Sequence, residues 1–350
     1  MPAVPSREDA LVGRTFGEFV VREHLSSGGF GAVYRAEQPA LGREAVIKFL
    51  HARLMKSEAT VQRFLREARL ASRLDHPYAA HIYAFGHEAD GTLWIAMELV
   101  RGTPLDRVLA AGPLPLERFV PLFERICEVV QTAHEAGIVH RDIKPANVMV
   151  LSRAGRLVPK LLDFGIAKIA DEAADVASGH TTAPQAAPAP VPPVTPPPMP
   201  IDDGALGETV IRPRSEASAG NTGDTVPDAG ARLTQVGAVM GSPLYMAPEQ
   251  WSDAAAASPR SDLYALGILA YEALTGRPPF NGPDVLHLAL AHAAQPPPLL
   301  GPGFAPELDD VVARALAKRA EGRFDTALDL AAAFRAASGL AVDRASLPRL

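Results

Sequence analysis

The stretch from Asp171 to Leu233 constrains this 350-residue chain more than any other feature. Its 63 residues hold 11 of the 33 prolines and no Phe, Trp, Tyr or Lys. A segment without aromatic side chains buries too little apolar surface to offset the entropy of ordering it. It reads as a disordered, partly polyproline insertion, stiffest at Pro196-Pro197-Pro198. Nine acids and three arginines give it a charge of −6, the formal charge of the whole chain, so the remainder is formally neutral. A general nucleic-acid binder would be basic, and no nucleic-acid partner is expected. The single cysteine, Cys127, excludes an intrachain disulfide framework and a four-cysteine zinc site. Residues 1–13 lack the apolar core of a signal peptide, and no run approaches about 18 apolar residues, so no membrane span is expected. The chain reads as cytoplasmic.

Both flanks of the insertion carry folding patterns. Residues 16–50, rich in Val, Phe and Gly, predict strand–turn–strand–strand. Val61, Phe64, Leu65, Ala68 and Leu70-Ala71 recur at helical spacing within 57–74. Leu93–Leu99 predicts another strand. A long helix is predicted over 115–137, where Phe119, Leu122, Phe123, Ile126, Val129 and Val130 share a face. Beyond the insertion, helices are predicted near 261–275, 284–294, 305–317 and 324–337. The outline is a small strand-rich lobe followed by a larger helical one.

Several motifs lie on this framework. Leu25-Ser26-Ser27-Gly28-Gly29-Phe30-Gly31-Ala32-Val33 joins two predicted strands. Glycines there let a backbone approach phosphates closely, although a purely structural turn gives the same pattern. Ala45-Val46-Ile47-Lys48 follows as a strand ending in lysine, which alone fits a solvated edge. His140-Arg141-Asp142-Ile143-Lys144-Pro145-Ala146-Asn147 places Asp, Lys and Asn at fixed offsets after the long helix. Leu161-Leu162-Asp163-Phe164-Gly165 and then Ala247-Pro248-Glu249 complete the series. Each piece alone fits a capped turn, whereas the ordered set is a signature.

That set resembles the eukaryotic-type (Hanks-type) protein kinases, most in the style of the bacterial serine/threonine protein kinases. His76-Pro77, Asp163–Lys168, Tyr245–Gln250 and Ser261–Gly267 fit the same style. The resemblance implies an α+β, bilobal protein kinase fold with a small β-rich N-lobe and a larger helical C-lobe. It implies a kinase domain over 16–337, with N-lobe 16–97, hinge 98–103 and C-lobe 104–337. The insertion 171–233 would interrupt its activation segment, between an N-terminal extension 1–15 and a C-terminal tail 338–350. The implied activity is transfer of the ATP γ-phosphoryl group to protein Ser/Thr hydroxyls, with Lys144 and Pro145 favouring Ser/Thr over Tyr.

The resemblance also assigns roles, and phosphoryl transfer asks a protein for positioning and charge neutralisation. Lys48 would hold the α/β-phosphates and Glu67 would pair with Lys48. Asn147 and Asp163 would bind Mg²⁺ (or Mn²⁺), a hard cation that takes oxygen ligands. Asp142 would orient the substrate hydroxyl and accept its proton, and Lys144 would neutralise the moving phosphoryl group. The loop from Leu25 to Val33 would cover the phosphates. Val33 and Val46 would lie on one face of adenine and Met149 on the other, with Met97 behind and Glu98 and Val100 on the hinge.

Departures are local. Ser26 stands where the family has its first loop glycine, and Val46 stands where it usually has alanine. Pro104 and Ala146 occupy positions that are acidic in relatives preferring arginine upstream of the acceptor, so only a weak preference for basic substrates is expected. Thr234, seven residues before Gly241-Ser242-Pro243, is the expected regulatory phosphosite, paired with Arg141 when phosphorylated, with autophosphorylation of the segment. Nine further insertion hydroxyls are candidates for modification. Thr225-Val226-Pro227-Asp228 resembles the pThr-x-x-Asp sequence read by forkhead-associated domains, a motif short enough to arise by chance. Glu249 is expected to pair with Arg323, and Asp262 to hold the catalytic-loop backbone. The rival reading is a pseudokinase or phosphothreonine-displaying signalling scaffold.

Overall fold

The computed structural model describes residues 11–28, 31–50, 58–153, 155–164 and 243–341. Alternating apolar residues in the first hundred positions build an antiparallel sheet. Its strands are β1 (Thr15–Phe16), β2 (Phe19–Gly28), β3 (Gly31–Gln38), β4 (Arg43–Leu50), β5 (Ile82–His87) and β6 (Leu93–Glu98). They lie side by side in the order β1-β2-β3-β4-β6-β5. Side chains alternate across a pleated strand. In β4 this sends Ala45, Ile47 and Phe49 into a small core with Phe16, Phe19, Val21, Tyr34, Trp94 and Ala96. Val46 and Lys48 therefore share the opposite face. Lys48 stands across from Val33 on β3 and Ile95 on β6. Between β4 and β5 runs α1 (Glu58–Ala71), which buries Val61, Phe64, Ala68 and Ala71.

The larger part is helical. It comprises α2 (Leu105–Leu109), α3 (Leu116–Glu135), α4 (Pro248–Ser252), α5 (Pro259–Thr275), α6 (Val285–Ala294), α7 (Pro306–Ala315) and α8 (Ala327–Ala337). In α3, the residues at spacings of three and four from Phe119 to Ala133 are buried, as an amphipathic helix requires. Phe119 and Phe123 pack on Phe334 of α8. By contrast α5 is apolar on nearly every side and is buried from Ser261 to Tyr271. It ends on Gly276 in the left-handed conformation, φ 75°. A second sheet, β7 (Thr103–Pro104), β8 (Val148–Arg153) and β9 (Arg156–Leu161), belongs to the helical part in sequence, with β7 just before α2 and the β8–β9 hairpin between α3 and α4.

The strand-rich small part and larger helical part agree with the expected kinase fold class. Every helix anticipated by periodicity is present, each within a few residues of its expected bounds. The sequence does not separate out β1, β5, β7 or β8, and β9 is legible only as a β-like run ahead of Asp163, without bounds. The insertion 171–233 lies outside the described residues. Among the described residues no helix is long and apolar enough to cross a membrane.

Candidate active site

The alternation of β3 and β4 delivers Val33, Val46 and Lys48 to a cavity of about 210 Å³. Met97, Glu98, Leu99 and Val100 close one side, and Met149, Leu162 and Asp163 the other. All six residues expected around adenine thus line one space, together with Lys48 and Asp163. Leu99 and Leu162 join them, and sequence reasoning had omitted both. Pairing of β6 with β4 ends at Ala45 opposite Glu98, so Leu99 and Val100 line the cavity beyond the end of that ladder. The walls are mainly apolar, with charged groups at one end, which suits a flat heteroaromatic ring bearing phosphates.

Leu25, Ser26 and Ser27 lie exposed on the last turn of β2, with Ser26 opposite Val33 and Gly28 opposite Gly31. Gly31 has a local reason to be glycine: a Cβ there would lie 1.7 Å from the Phe49 carbonyl oxygen. A Cβ on Gly28 would meet nothing within 4 Å. Ala32, next to Gly31, pairs with Phe49. Gly29 and Phe30 lie outside the described residues.

Charge at the inner end of the cavity is arranged differently from expectation. The Lys48 ammonium lies 3.2 Å from Asp163, and both side chains are mostly shielded from water. Glu67 does not pair with Lys48; its carboxylate is held by Arg66 at 2.9 Å. The expected Lys48–Glu67 pair is corrected accordingly. The Glu67 side chain turns to its neighbour Arg66, and Asp163 is the carboxylate within reach of Lys48.

Asp142, Lys144 and Asn147 form a tight group. The Lys144 ammonium lies 2.8 Å from Asp142 Oδ2. The Asn147 amide donates to the same oxygen at 2.9 Å and to the Asp142 carbonyl at 2.8 Å. Asn147 is buried in the turn immediately before β8, and Asp163 follows β9. The β8–β9 hairpin therefore sets the spacing between these two oxygen-bearing side chains. The Leu162 amide donates to the Asn147 carbonyl at 2.8 Å, tying the two segments directly.

Two residues here adopt left-handed backbone, Arg141 at φ 65° and Asp163 at φ 52°. Such a conformation costs about 1–3 kcal/mol for a side chain other than glycine and persists only where the surroundings impose it. Asp262, buried in α5, imposes the first. It accepts the His140 amide at 2.8 Å, the Arg141 amide at 2.9 Å and the His134 imidazole N–H at 2.8 Å. His140 links both loops: its Nε2–H donates to the Leu162 carbonyl at 2.9 Å, and its ring packs on Phe164. Burial pushes the His140 pKa down, so the ring is neutral in this role.

The expected Glu249–Arg323 pair is present as two parallel hydrogen bonds of 2.7 Å, and Ser261 donates to Glu249 as well. Burial, the largest single influence, would raise the Glu249 carboxyl, but the Arg323 guanidinium, backbone hydrogen bonding and the Ser261 hydroxyl together hold it below the usual range. A narrow pocket beyond Asp142, with room for about one water molecule, is lined by Arg141, Ile143, Tyr245, Met246 and Gln250. Tyr245 donates to Glu272 of α5, a contact the sequence reading missed. A buried helix carrying a lone glutamate was the available signal. Gly165, Thr234, Ser242 and the insertion hydroxyls lie outside the described residues.

Against known proteins, the chain matches the protein kinase domain model over residues 19–193. The chain belongs to the protein kinase family. It is 35% identical over 327 residues to the serine/threonine-protein kinase pkn2 of Myxococcus xanthus, covering 92% of this chain and 32% of that protein. It is 31% identical over 313 residues to the serine/threonine-protein kinase PknA of Mycobacterium tuberculosis, covering 88% and 58%. The solved kinase domain of M. tuberculosis PknI superposes with a TM-score of 0.61 at 25% identity, covering 93% of this kinase chain and 98% of that one. The kinase chain spans only about a third to a half of the M. xanthus relatives it matches.

Proposed function

We propose that this kinase transfers the γ-phosphoryl group of ATP to serine and threonine hydroxyls of proteins. The observation that carries the reading is the Asp142–Lys144–Asn147 group tied directly to the wall of the apolar cavity. Lys144 and the Asn147 amide hold the Asp142 carboxylate, and the Asn147 carbonyl accepts the amide of Leu162, which lines the apolar cavity. The cavity would take the nucleotide, and the acceptor hydroxyl would approach Asp142.

The residues present fit a divalent cation held jointly with phosphates. Asp163 and Asn147 offer hard oxygen ligands at the phosphate end, and Mg²⁺ commonly binds one or two carboxylates together with substrate phosphates. When bound, the cation neutralises phosphate charge that would otherwise oppose transfer. Lys48 supplies a further positive charge at the inner end of the cavity. Asp142 orients the acceptor hydroxyl and takes its proton. Lys144, 2.8 Å from Asp142, stabilises negative charge as it develops on the transferring group. Turnover on this reading requires α1 to rotate, so that Glu67 leaves Arg66 and reaches Lys48, freeing Asp163 for the cation.

Autophosphorylation of the segment that includes Thr234 belongs to the same reading, as does display of phosphothreonine to forkhead-associated domains. The experiment is phosphosite mapping by mass spectrometry after incubation of phosphatase-treated protein with Mg·ATP, wild type beside Asp142→Asn. Phosphate on wild type alone is the expected result. A second reading, a scaffold without turnover, draws on the withdrawal of Glu67 to Arg66. It predicts no new phosphate on either protein.

A further inference from the structure

The solvent face of α1 carries a row of arginines. Arg66 and Arg69 on the helix and Arg73 in the turn after it lie opposite the buried row of Val61, Phe64 and Ala68. With Arg141 of the catalytic loop and the Gly137–Val139 segment after α3, they line a groove of about 530 Å³. Glu67 is its one carboxylate and is already held by Arg66. Among the described residues, no carboxylate pairs with the side chains of Arg69 or Arg73. Like charges at this spacing repel one another and destabilise a helix unless an anion lies among them.

The sequence holds a matching anion close by. Asp171-Glu172-Ala173-Ala174-Asp175 opens the acidic tract, and nothing basic interrupts it. The last described residue before it is Phe164, whose ring centroid is 4.9 Å from that of His140. His140 adjoins Arg141 on the groove wall. Asp171 is seven residues beyond Phe164, a span of up to roughly 24 Å at about 3.4 Å per residue. A tether that short gives a high effective concentration, so individually weak exposed ion pairs can hold the segment. We propose that the arginine groove beside α1 docks the acidic segment Asp171–Asp175 of the same chain. An anion drawn to Arg66 competes with Glu67 for that guanidinium, so docking loosens the contact that keeps Glu67 from Lys48. The docking itself does not depend on phosphoryl transfer.

Disulfide trapping in the full chain tests this. Leu70→Cys places a thiol on the groove wall and Ala174→Cys one between the acids, with all charges kept. Cys127 is buried and does not compete. The control pairs Ala174→Cys with Leu328→Cys, an exposed site on α8. Under a mild added oxidant the groove pair is expected to close an intramolecular disulfide faster than the control, and high salt to slow it. Adding Arg69→Glu and Arg73→Glu is expected to slow closure about five-fold, equivalent to ~1 kcal/mol of summed exposed ion pairing. Changing Asp171, Glu172 and Asp175 to lysine in that background restores the rate, which a misfolded variant would not show. A rate equal to the control, a rate indifferent to both reversals, or disulfides formed only between molecules would overturn the proposal.

Discussion

The guanidinium of Arg323, 1% exposed, grips the Glu249 carboxylate through two parallel hydrogen bonds of 2.7 Å. It also donates to the carbonyls of Ala317 and Arg260. One side chain thus joins α4, the start of α5 and the turn before α8. Removing it strands a half-buried carboxylate and two carbonyls. Arg323→Leu should lower unfolding stability by about 3–5 kcal/mol, read from urea denaturation. Arg323→Lys should recover little, because an ammonium cannot reproduce the planar fork. Equal stability of Arg323→Leu and wild type would show that this pair does not hold the subdomain.

The two described glycines that bracket the phosphate-side hairpin should respond differently. Gly31→Ala forces a methyl group against the Phe49 carbonyl and should destabilise the protein by about 2–3 kcal/mol. Gly28→Ala has open space and should leave the melting temperature unchanged, while weakening nucleotide affinity measured by calorimetry. The reverse pattern would mean that the hairpin backbone lies elsewhere in solution.

A buried histidine makes the helical part sensitive to acid. His292 is fully buried on α6, bonded through Nδ1 to the Tyr264 hydroxyl, with Lys318 nearby. Burial, with the Lys318 charge adding to it, lowers its pKa to about 4 from an ordinary 6.5. The unfolded chain therefore takes up this proton first. The associated stability is complete above about pH 6.5 and is lost as pH falls through 4, at most about 3–4 kcal/mol. His292→Gln should shrink the loss of melting temperature between neutral and mildly acidic buffer. An unchanged loss would assign the acid sensitivity to carboxylates such as Glu249, whose lowered pKa acts in the same direction at lower pH.

Activity offers a further check. Asp142→Asn keeps the shape of the Lys144–Asn147 group but removes the proton acceptor. Turnover on a Ser/Thr peptide library should fall about 10²–10⁴-fold with nucleotide affinity little changed. A proportionate loss of affinity would move Asp142 from the acceptor side to the nucleotide side.

Legibility in the sequence followed physical cause. The face of α3 was plain because apolar residues recur over five turns, and the pairing partner of Glu249 was plain from the kinase resemblance. β5 was hidden because it is short and contains Gly86, where a side chain would strike the Trp94 ring. β9 contains Pro159, which an edge strand tolerates but which obscures the pattern. The cavity residues were legible only through the kinase resemblance, position by position; strand alternation accounts for Val46 and Lys48 sharing a face. The partner of Lys48 was not legible. Sequence gives Glu67 its place on α1 but leaves open whether its side chain turns to Lys48 or to Arg66.

The three hydrogen bonds accepted by Asp262 bear on when this site exists at all. The bend at Arg141 is set by a carboxylate delivered from the middle of the most buried helix, so the catalytic loop cannot assemble ahead of that core. The loop is exposed in the sense that substrates reach it, yet its amides should open only with the helical part as a whole. Hydrogen exchange at His140 and Arg141 should then proceed at the slow global rate, as it would at interior amides of α5, and heat should abolish competence in one step with the fold.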